Sequence, residues 1–179
     1  MLKEGDAIFL RRYVHRVRTE FREHHRFVGY FDATTVLIPV PGCQPQLTGI
    51  ASNTEYLSAA LIEAGLGERV WNGLRRTMAV PKSATAAGGE RPSVQRHYES
   101  FAVACDAGVP SQILLVDDVV TKGRTLLAAA ARLQEAFPQT PIRSFAFLRT
   151  MGFVTDVSRL LDPCVGEIHW QAGDARRAP

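Results

Sequence analysis

Cysteine is scarce in this chain of 179 residues: Cys43, Cys105 and Cys164 are the three it has. None pairs as CxxC, which excludes the common zinc-ribbon and dithiol redox motifs and fits a reduced cytoplasm. Long apolar runs are lacking as well. Acid enters at Glu4 and Asp6 and no uninterrupted hydrophobic stretch follows, so neither a signal peptide nor a membrane span is expected. The chain shows no internal repeat, and its net charge of +3 is too small to mark a nucleic-acid binder by itself. What is present is the composition of a globular domain, 46% hydrophobic and 22% charged, in a length suited to one domain with one continuous core. The mild basic excess favours anionic ligands and leaves phosphate, pyrophosphate and nucleic acid all open.

Periodicity supplies the elements. Over residues 6–21, Phe9, Leu10, Tyr13, Val14, Val17 and Phe21 recur at three- and four-residue spacing, which predicts an amphipathic helix with Asp6 as its N-cap. Its other face carries Arg11, Arg12, His15, Arg18 and Arg22, a solvated basic face or a nucleic-acid contact. His24 and His25 close that helix, where a cation favours the dipole. Residues 35–41 are β-branched and apolar on both faces, as a buried parallel strand requires, and Pro41-Gly42 stops them. Ser52 with Glu55 reads as a capping box opening a helix. A short strand is expected over 69–74, then a long polar stretch over 75–100 broken by Pro81, Gly88-Gly89 and Arg91-Pro92. Residues 113–116 form a buried strand, and Leu126, Ala130, Leu133 and Phe137 mark the core face of the next helix. A last core strand runs over 142–148. Alternating β and α predict an α/β fold, a mostly parallel sheet flanked by helices. The single domain spans 1–179, with an N-terminal helical segment (1–30), a flexible loop (75–100) and a small C-terminal cover (150–179) that includes Trp170.

The chemistry gathers between the strand at 113–116 and its helix. Ligands in open α/β sheets bind beyond the carboxyl ends of the strands, which is where Asp117 to Thr125 must lie. Thr121, Lys122, Gly123, Arg124 and Thr125 combine hydroxyls, a glycine, two cations and the amides of a helix N-terminus, a cradle for phosphate. Asp117 and Asp118 would repel that anion, so they call for another partner: the hydroxyls of a sugar joined to the phosphate, or a magnesium ion shared with it.

The run Leu114-Leu-Val-Asp-Asp-Val-Val-Thr-Lys-Gly-Arg-Thr-Leu126 resembles the signature for 5-phosphoribosyl-1-pyrophosphate (PRPP) in type I phosphoribosyltransferases. The family pattern is apolar residues, two acids, two apolar residues and a Thr- and Gly-rich turn closed by Thr; Lys122 stands where a small residue or Thr is more usual. The resemblance implies that Asp117 and Asp118 are catalytic, holding the ribose hydroxyls directly or through Mg2+ and its waters. Val119, Val120, Thr121, Lys122, Gly123, Arg124 and Thr125 would bind the 5-phosphate of PRPP. It implies also that the turn Val40, Pro41, Gly42, Cys43 and Gln44 is the pyrophosphate loop. Pro39-Val40-Pro41 with a helix before it is similar to the competence-associated (ComF-like) branch, whose members follow this turn with arginines. Here Gln44, Gln46 and Thr48 stand instead. Residues 75–100 correspond to the family's flexible catalytic loop, with Arg75, Arg76, Lys82, Arg91 and Arg96 as carriers of charge and Arg91 and His97 as the preferred residues, Arg91 as catalytic.

Two functions follow as expectations. One is a cytoplasmic, Mg2+-dependent transferase moving the phosphoribosyl group from PRPP to a nitrogen nucleophile such as a nucleobase, with release of pyrophosphate. The other is a PRPP-sensing regulator without turnover, contacting nucleic acid through the basic N-terminal face. Base recognition would fall to Arg149, Thr150, Met151, Gly152 and Phe153 with the terminal segments; a homodimer is the commonest assembly and no membrane partner is expected. Cys43 has no activating base beside it in sequence. Trp170 either covers the sheet or stacks on a base.

Overall fold

Thr35-Val-Leu-Ile-Pro is apolar or β-branched at every position, and in the computed structural model all five side chains are buried along strand β1 (Thr35–Pro39). The structure describes residues 14–15, 17–19, 27, 29–45, 51–81, 91–104, 108–152, 158 and 162–178. β1 pairs in parallel with β2 (Arg69–Val70) on one side and with β5 (Gln112–Val120) on the other, and β5 pairs in parallel with β6 (Ile142–Arg149). The four-stranded sheet therefore runs β2-β1-β5-β6, with the two most apolar strands at its centre.

The period of two along a strand divides the core into two layers. Leu37, Leu114 and Val116 point to one face, where they pack with Leu57 and Leu61 of helix α1 (Asn53–Glu63) and with Val14 and Val17 of the N-terminal segment. Val36, Ile38, Ile113 and Leu115 point to the other and meet Leu126, Leu133 and Phe137, which belong to or end helix α3 (Arg124–Ala136). The expected capping box is present: Ser52 N donates to Glu55 Oε2 at 2.6 Å while Glu55 N donates to Ser52 Oγ at 3.3 Å. Of the N-terminal helix, residues 14–15 and 17–19 are described and helical, with Val14 and Val17 buried and His15 exposed as the periodicity predicts. Arg11, Arg12, Arg22, His24 and His25 lie outside the described residues.

Three sequence boundaries shift. The strand expected over 69–74 is two strands in different sheets, because Trp71-Asn72-Gly73 interrupts it. A Cβ at Gly73 would stand 1.9 Å from the Trp71 ring, so the chain turns on itself there. After the break, β3 (Leu74–Arg76) pairs antiparallel with β4 (Phe101–Val103). Within the stretch expected to be irregular, Ser93 accepts from Arg96 N at 3.1 Å and caps a short helix α2 (Val94–Glu99). Last, β5 does not stop at Val116. It continues through the acidic pair, with Asp117 opposite Ala146 and Val119 opposite Leu148 on β6, since β6 offers a partner edge and Val119-Val120 suit it. The C-terminal cover is a two-stranded hairpin, β7 (Glu167–Gln171) with β8 (Asp174–Ala178). It rests on α3 through Ile168 and Ala175. Trp170 faces outward and is 57% exposed, so it does not cover the sheet. Among the described residues no helix is long and apolar enough to cross a membrane.

Candidate active site

β1 and β5 end side by side, with Pro39 in register with Val116 and Val40 N donating to Val116 O at 2.9 Å. Whatever follows each strand therefore shares the space beyond the sheet edge. That space is a cleft of about 280 Å³ walled by Pro41, Gly42 and Cys43 after β1, by Asp117, Asp118 and Val119 on β5, by Thr125 on α3 and by Ser52, Asn53 and Thr54 at the start of α1. Arg76 and His97 also line it. A smaller hollow of about 30 Å³ lies over the turn from Thr121 to Thr125, with Arg91 and Asp117 among its walls. The residues singled out at both strand ends, far apart in sequence, thus meet around connected hollows.

The acidic pair is held where ionisation is costly. Burial pushes the Asp117 carboxyl up to about 7, and the neighbouring Asp118 carboxylate adds to the rise. A backbone bond from Asp118 N to Asp117 Oδ1, 2.9 Å, offsets part of this. Asp118 Oδ1 accepts from Val119 N at 2.7 Å. Two carboxylates crowded at a cleft floor fit a hard divalent cation, which would relieve their repulsion. Among the described residues no third His, Cys, Asp or Glu joins them. That set fits magnesium, which keeps waters and ligand oxygens in its shell, better than a cation needing an all-protein cage.

The phosphate turn is shorter than the sequence suggests, because Val119 and Val120 belong to β5. Thr121 and Lys122 are exposed, and Gly123 takes the left-handed conformation, φ +85°, as the N-cap of α3 with no side chain capping the helix. The first amides of α3 are then left to an external acceptor. Gly123 serves another purpose than close approach to a ligand: a Cβ there would stand 2.7 Å from Ile168 of the hairpin. The two cations of the turn are also diverted. Arg124 donates to both carboxylate oxygens of Asp174 on β8, Nε to Oδ1 at 2.5 Å and Nη2 to Oδ2 at 2.6 Å. Lys122 Nζ reaches the same carboxylate at 3.4 Å. This pairing holds the Asp174 carboxyl well below the usual carboxylate range and raises the Arg124 guanidinium.

The turn after β1 shows the opposite pattern. No cation stands within Pro41, Gly42, Cys43 and Gln44, yet Arg76 of β3 arrives beneath it, 5% exposed, donating to Gly42 O at 2.5 Å, to Pro41 O at 3.5 Å and to Ser100 Oγ. Its guanidinium lies over the Phe101 ring at 4.3 Å. Burial pulls it down to about 10, still charged at neutral pH, with Cys43 and Asp117 favouring the charge. Val80 N donates to Cys43 O at 2.8 Å. Three successive carbonyls are thus occupied, and in trans peptides the amides of Gly42, Cys43 and Gln44 point the other way.

Of the two residues preferred in the 75–100 loop, Arg91 is exposed at the rim of the smaller hollow, where its carbonyl accepts from Arg124 Nη1 at 3.4 Å. His97 lies within α2 and is 3% exposed, with Nε2 at 3.5 Å from Thr125 Oγ1 and Nδ1 without a partner. Burial, Arg76 and Arg124 together pull the imidazole down to about 4, so His97 is neutral and brings no charge to the cleft. Gln46, Thr48, Lys82 and Phe153 lie outside the described residues. Arg149 is tied to Cys164 Sγ at 2.8 Å and to Asp162 O at 3.3 Å, while Met151 and Gly152 are exposed.

Sequence reasoning missed two residues, and both left a trace. Arg76 follows Gly73 in the alternation buried, exposed, buried of Leu74-Arg75-Arg76, the pattern of a strand that puts one arginine inside. Asp174 follows Ala172-Gly173, both at positive φ, a hairpin turn that places the next residue on a returning strand.

No family model and no curated protein matches the chain. Among solved structures, the chain is similar to an adenine phosphoribosyltransferase, with 14% identity and a TM-score of 0.43 over 83% of this chain and 72% of that one. It is similar also to a hypoxanthine phosphoribosyltransferase from Staphylococcus aureus, 10% identical with a TM-score of 0.41 over 80% of this chain and 74% of that one. A third is the hypoxanthine phosphoribosyl transferase of Trypanosoma cruzi, at 12% identity and a TM-score of 0.37, covering 84% of this chain and 70% of that one. The solved structures it resembles are phosphoribosyltransferases, at a distance where the activity of this chain has to be argued from its own residues.

Proposed function

We propose that the protein binds PRPP with Mg2+ and transfers its phosphoribosyl group to a nitrogen nucleophile, releasing pyrophosphate. The observation that carries this reading is the order of groups around the hollows: a turn with outward amides after β1, an acidic pair on β5, and an uncapped helix N-terminus after it. Pyrophosphate, ribose and 5-phosphate follow one another in the same order along PRPP. The amides of Gly42, Cys43 and Gln44, set by Arg76, would take the pyrophosphate; Asp117 and Asp118 the ribose hydroxyls; Thr121 to Thr125 the 5-phosphate. Magnesium, held by Asp117 and Asp118 with the ligand's oxygens, would supply positive charge to the leaving pyrophosphate. In the transfer the C1–O bond to pyrophosphate breaks with its electron pair leaving on oxygen. The C1–N bond forms, and the nucleophile's proton passes to solvent. The chain's part is alignment, and electrostatic support of the cationic C1 by the acidic pair.

One observation favours a second reading. Arg76 is the one cation among the described residues lining the larger cleft, since Lys122 and Arg124 are engaged by Asp174. A site so short of free cations suits a regulator that binds PRPP and turns it over slowly or not at all. Calorimetric titration with PRPP, with and without magnesium, tests the site shared by both readings. We expect magnesium-dependent binding that the double variant Asp117→Asn/Asp118→Asn loses, and a wild type that binds nothing would overturn both. Pyrophosphate release with a panel of nucleobases then separates enzyme from regulator.

A further inference from the structure

One side chain joins three separate segments at the phosphate turn. Arg124 opens α3 immediately after the turn; its Nε and Nη2 are clasped by Asp174 on the hairpin, and its Nη1 donates to the carbonyls of Arg91 and Pro92, where the 75–100 segment returns, at 3.4 and 3.3 Å. The Arg124 and Asp174 side chains are 22% and 32% exposed, so the pair is shielded more than a surface ion pair and its two-point geometry limits rotation. A second contact fixes the same turn from the same hairpin, because Ile168 fills the space a side chain at Gly123 would need. Arg177 of β8 adds a third, donating to Thr150 O at 2.7 Å and to Val120 O at 3.5 Å, at the residue before the turn begins. The hairpin is thus bonded to the residues on either side of Thr121-Lys122-Gly123 and packed against the glycine within.

Resting on the functional reading above, we infer that Asp174 is a positioning residue for the phosphate site: by clasping Arg124 and Lys122 it holds the turn and the first amides of α3 in the geometry that accepts the 5-phosphate. The hairpin is then part of the binding apparatus. A competing role for the same carboxylate, holding Arg124 and Lys122 away from the phosphate, makes the opposite prediction, so the two are separable. The positioning role fits the geometry better, since the hairpin fixes Gly123 and Val120 as well as the cations, and a device that merely withheld charge would not need those contacts.

The test compares wild type, Asp174→Asn and Asp174→Glu in three titrations: magnesium PRPP, inorganic phosphate, and magnesium pyrophosphate. Hydrogen exchange is followed in the ligand-free proteins. We expect Asp174→Asn to bind PRPP and inorganic phosphate about tenfold more weakly, the loss of one charge-assisted contact. Pyrophosphate, which depends on the other turn, should keep its affinity, and Asp174→Glu, which retains the charge, should recover most of the loss. Amide exchange should quicken at residues 121–125 as well as in the hairpin. Unchanged or tighter PRPP binding in Asp174→Asn would overturn the inference, as would an equal loss of pyrophosphate binding or quickened exchange confined to the hairpin. A wild type that fails to bind PRPP would overturn the functional reading and this inference with it, and the wild-type arm alone reveals that case.

Discussion

The two turns at the carboxyl edge of the sheet draw their electrostatics from opposite directions. The turn after β5 contains Lys122 and Arg124 in its own sequence, and both are turned away to Asp174, 52 and 50 residues further on. The turn after β1 has no cation of its own and receives one from Arg76, 34 residues after Gly42. Charge counted along a segment is therefore a poor guide to charge in a site. A long, flexible cation goes to the nearest carboxylate or carbonyl that can satisfy it, and that partner is set by tertiary structure. The arginine-poor turn is the better served of the two, since a buried guanidinium orders its carbonyls while the cation-rich turn keeps its amides and little free charge.

The sharpest way to strain the comparison is through the group that faces both turns, Asp117. Its carboxyl is raised from the ordinary value of 3.8 to about 7 by burial and by Asp118, so the folded protein disfavours the ionised form that the unfolded chain adopts above about 4. Without magnesium, stability should fall as pH rises from about 4 to about 7 and level off beyond. Asp117→Asn removes that penalty. We expect the variant to be more stable than wild type by roughly 3 kcal/mol at pH 8 and by little near pH 4, read from urea unfolding in the presence of a chelator. A difference that does not change with pH would mean that Asp117 is solvated and its cleft wetter than the packing implies.

Arg76→Met addresses the imported cation. The side chain's volume is largely kept, but the carbonyls of Pro41 and Gly42 and the Ser100 hydroxyl lose their donor. Unpaired buried acceptors should cost roughly 2 kcal/mol, a fall in Tm of roughly 5 °C for a domain of this size, with weaker pyrophosphate binding besides. Lys122→Met, in the turn that looks cationic, removes an exposed side chain and should leave Tm within about 1 °C. Equal losses from the two substitutions would erase the contrast between the turns.

How much of this was legible follows the range of the interactions. The layered sheet was readable because β1 and β5 are buried on both faces and must be apolar at every position, a local signal. The acidic pair and the phosphate turn were readable for a like reason: Asp117 to Thr125 is one continuous stretch whose residue types serve one chemistry. Arg76 and Asp174 were not, because nothing near either in sequence says which carbonyl or guanidinium it will meet. The length of β5 was misjudged on the same ground, since β6 decides whether Asp117 to Val120 stay extended. His97 was weighed as a carrier of charge because it sits in a polar stretch, whereas the capped helix α2 turns it inward between two guanidinium groups.

His97 gives the smallest effect at neutral pH and the most discriminating one in acid. Held down to about 4 against an ordinary 6.5, the imidazole is neutral in the folded protein and protonates more readily once unfolded. Its contribution to stability is therefore present above about 6.5 and is lost as pH falls towards 4, the reverse of the Asp117 slope over the same interval. In wild type the two oppose each other and the net dependence is shallow. Asp117→Asn should expose the imidazole's slope, with stability falling as pH drops from 6.5 to 4, and adding His97→Phe should flatten it. At pH 7.5 His97→Phe alone should alter stability by about 1 kcal/mol or less, because the ring it replaces is buried with Nδ1 unpaired. PRPP affinity should then stay within about threefold, the loss of one long hydrogen bond to Thr125. A much larger loss of affinity at pH 7.5 would return His97 to the cleft as a group that bonds the ligand itself, and the contrast between the turns would have to include a donor on α2.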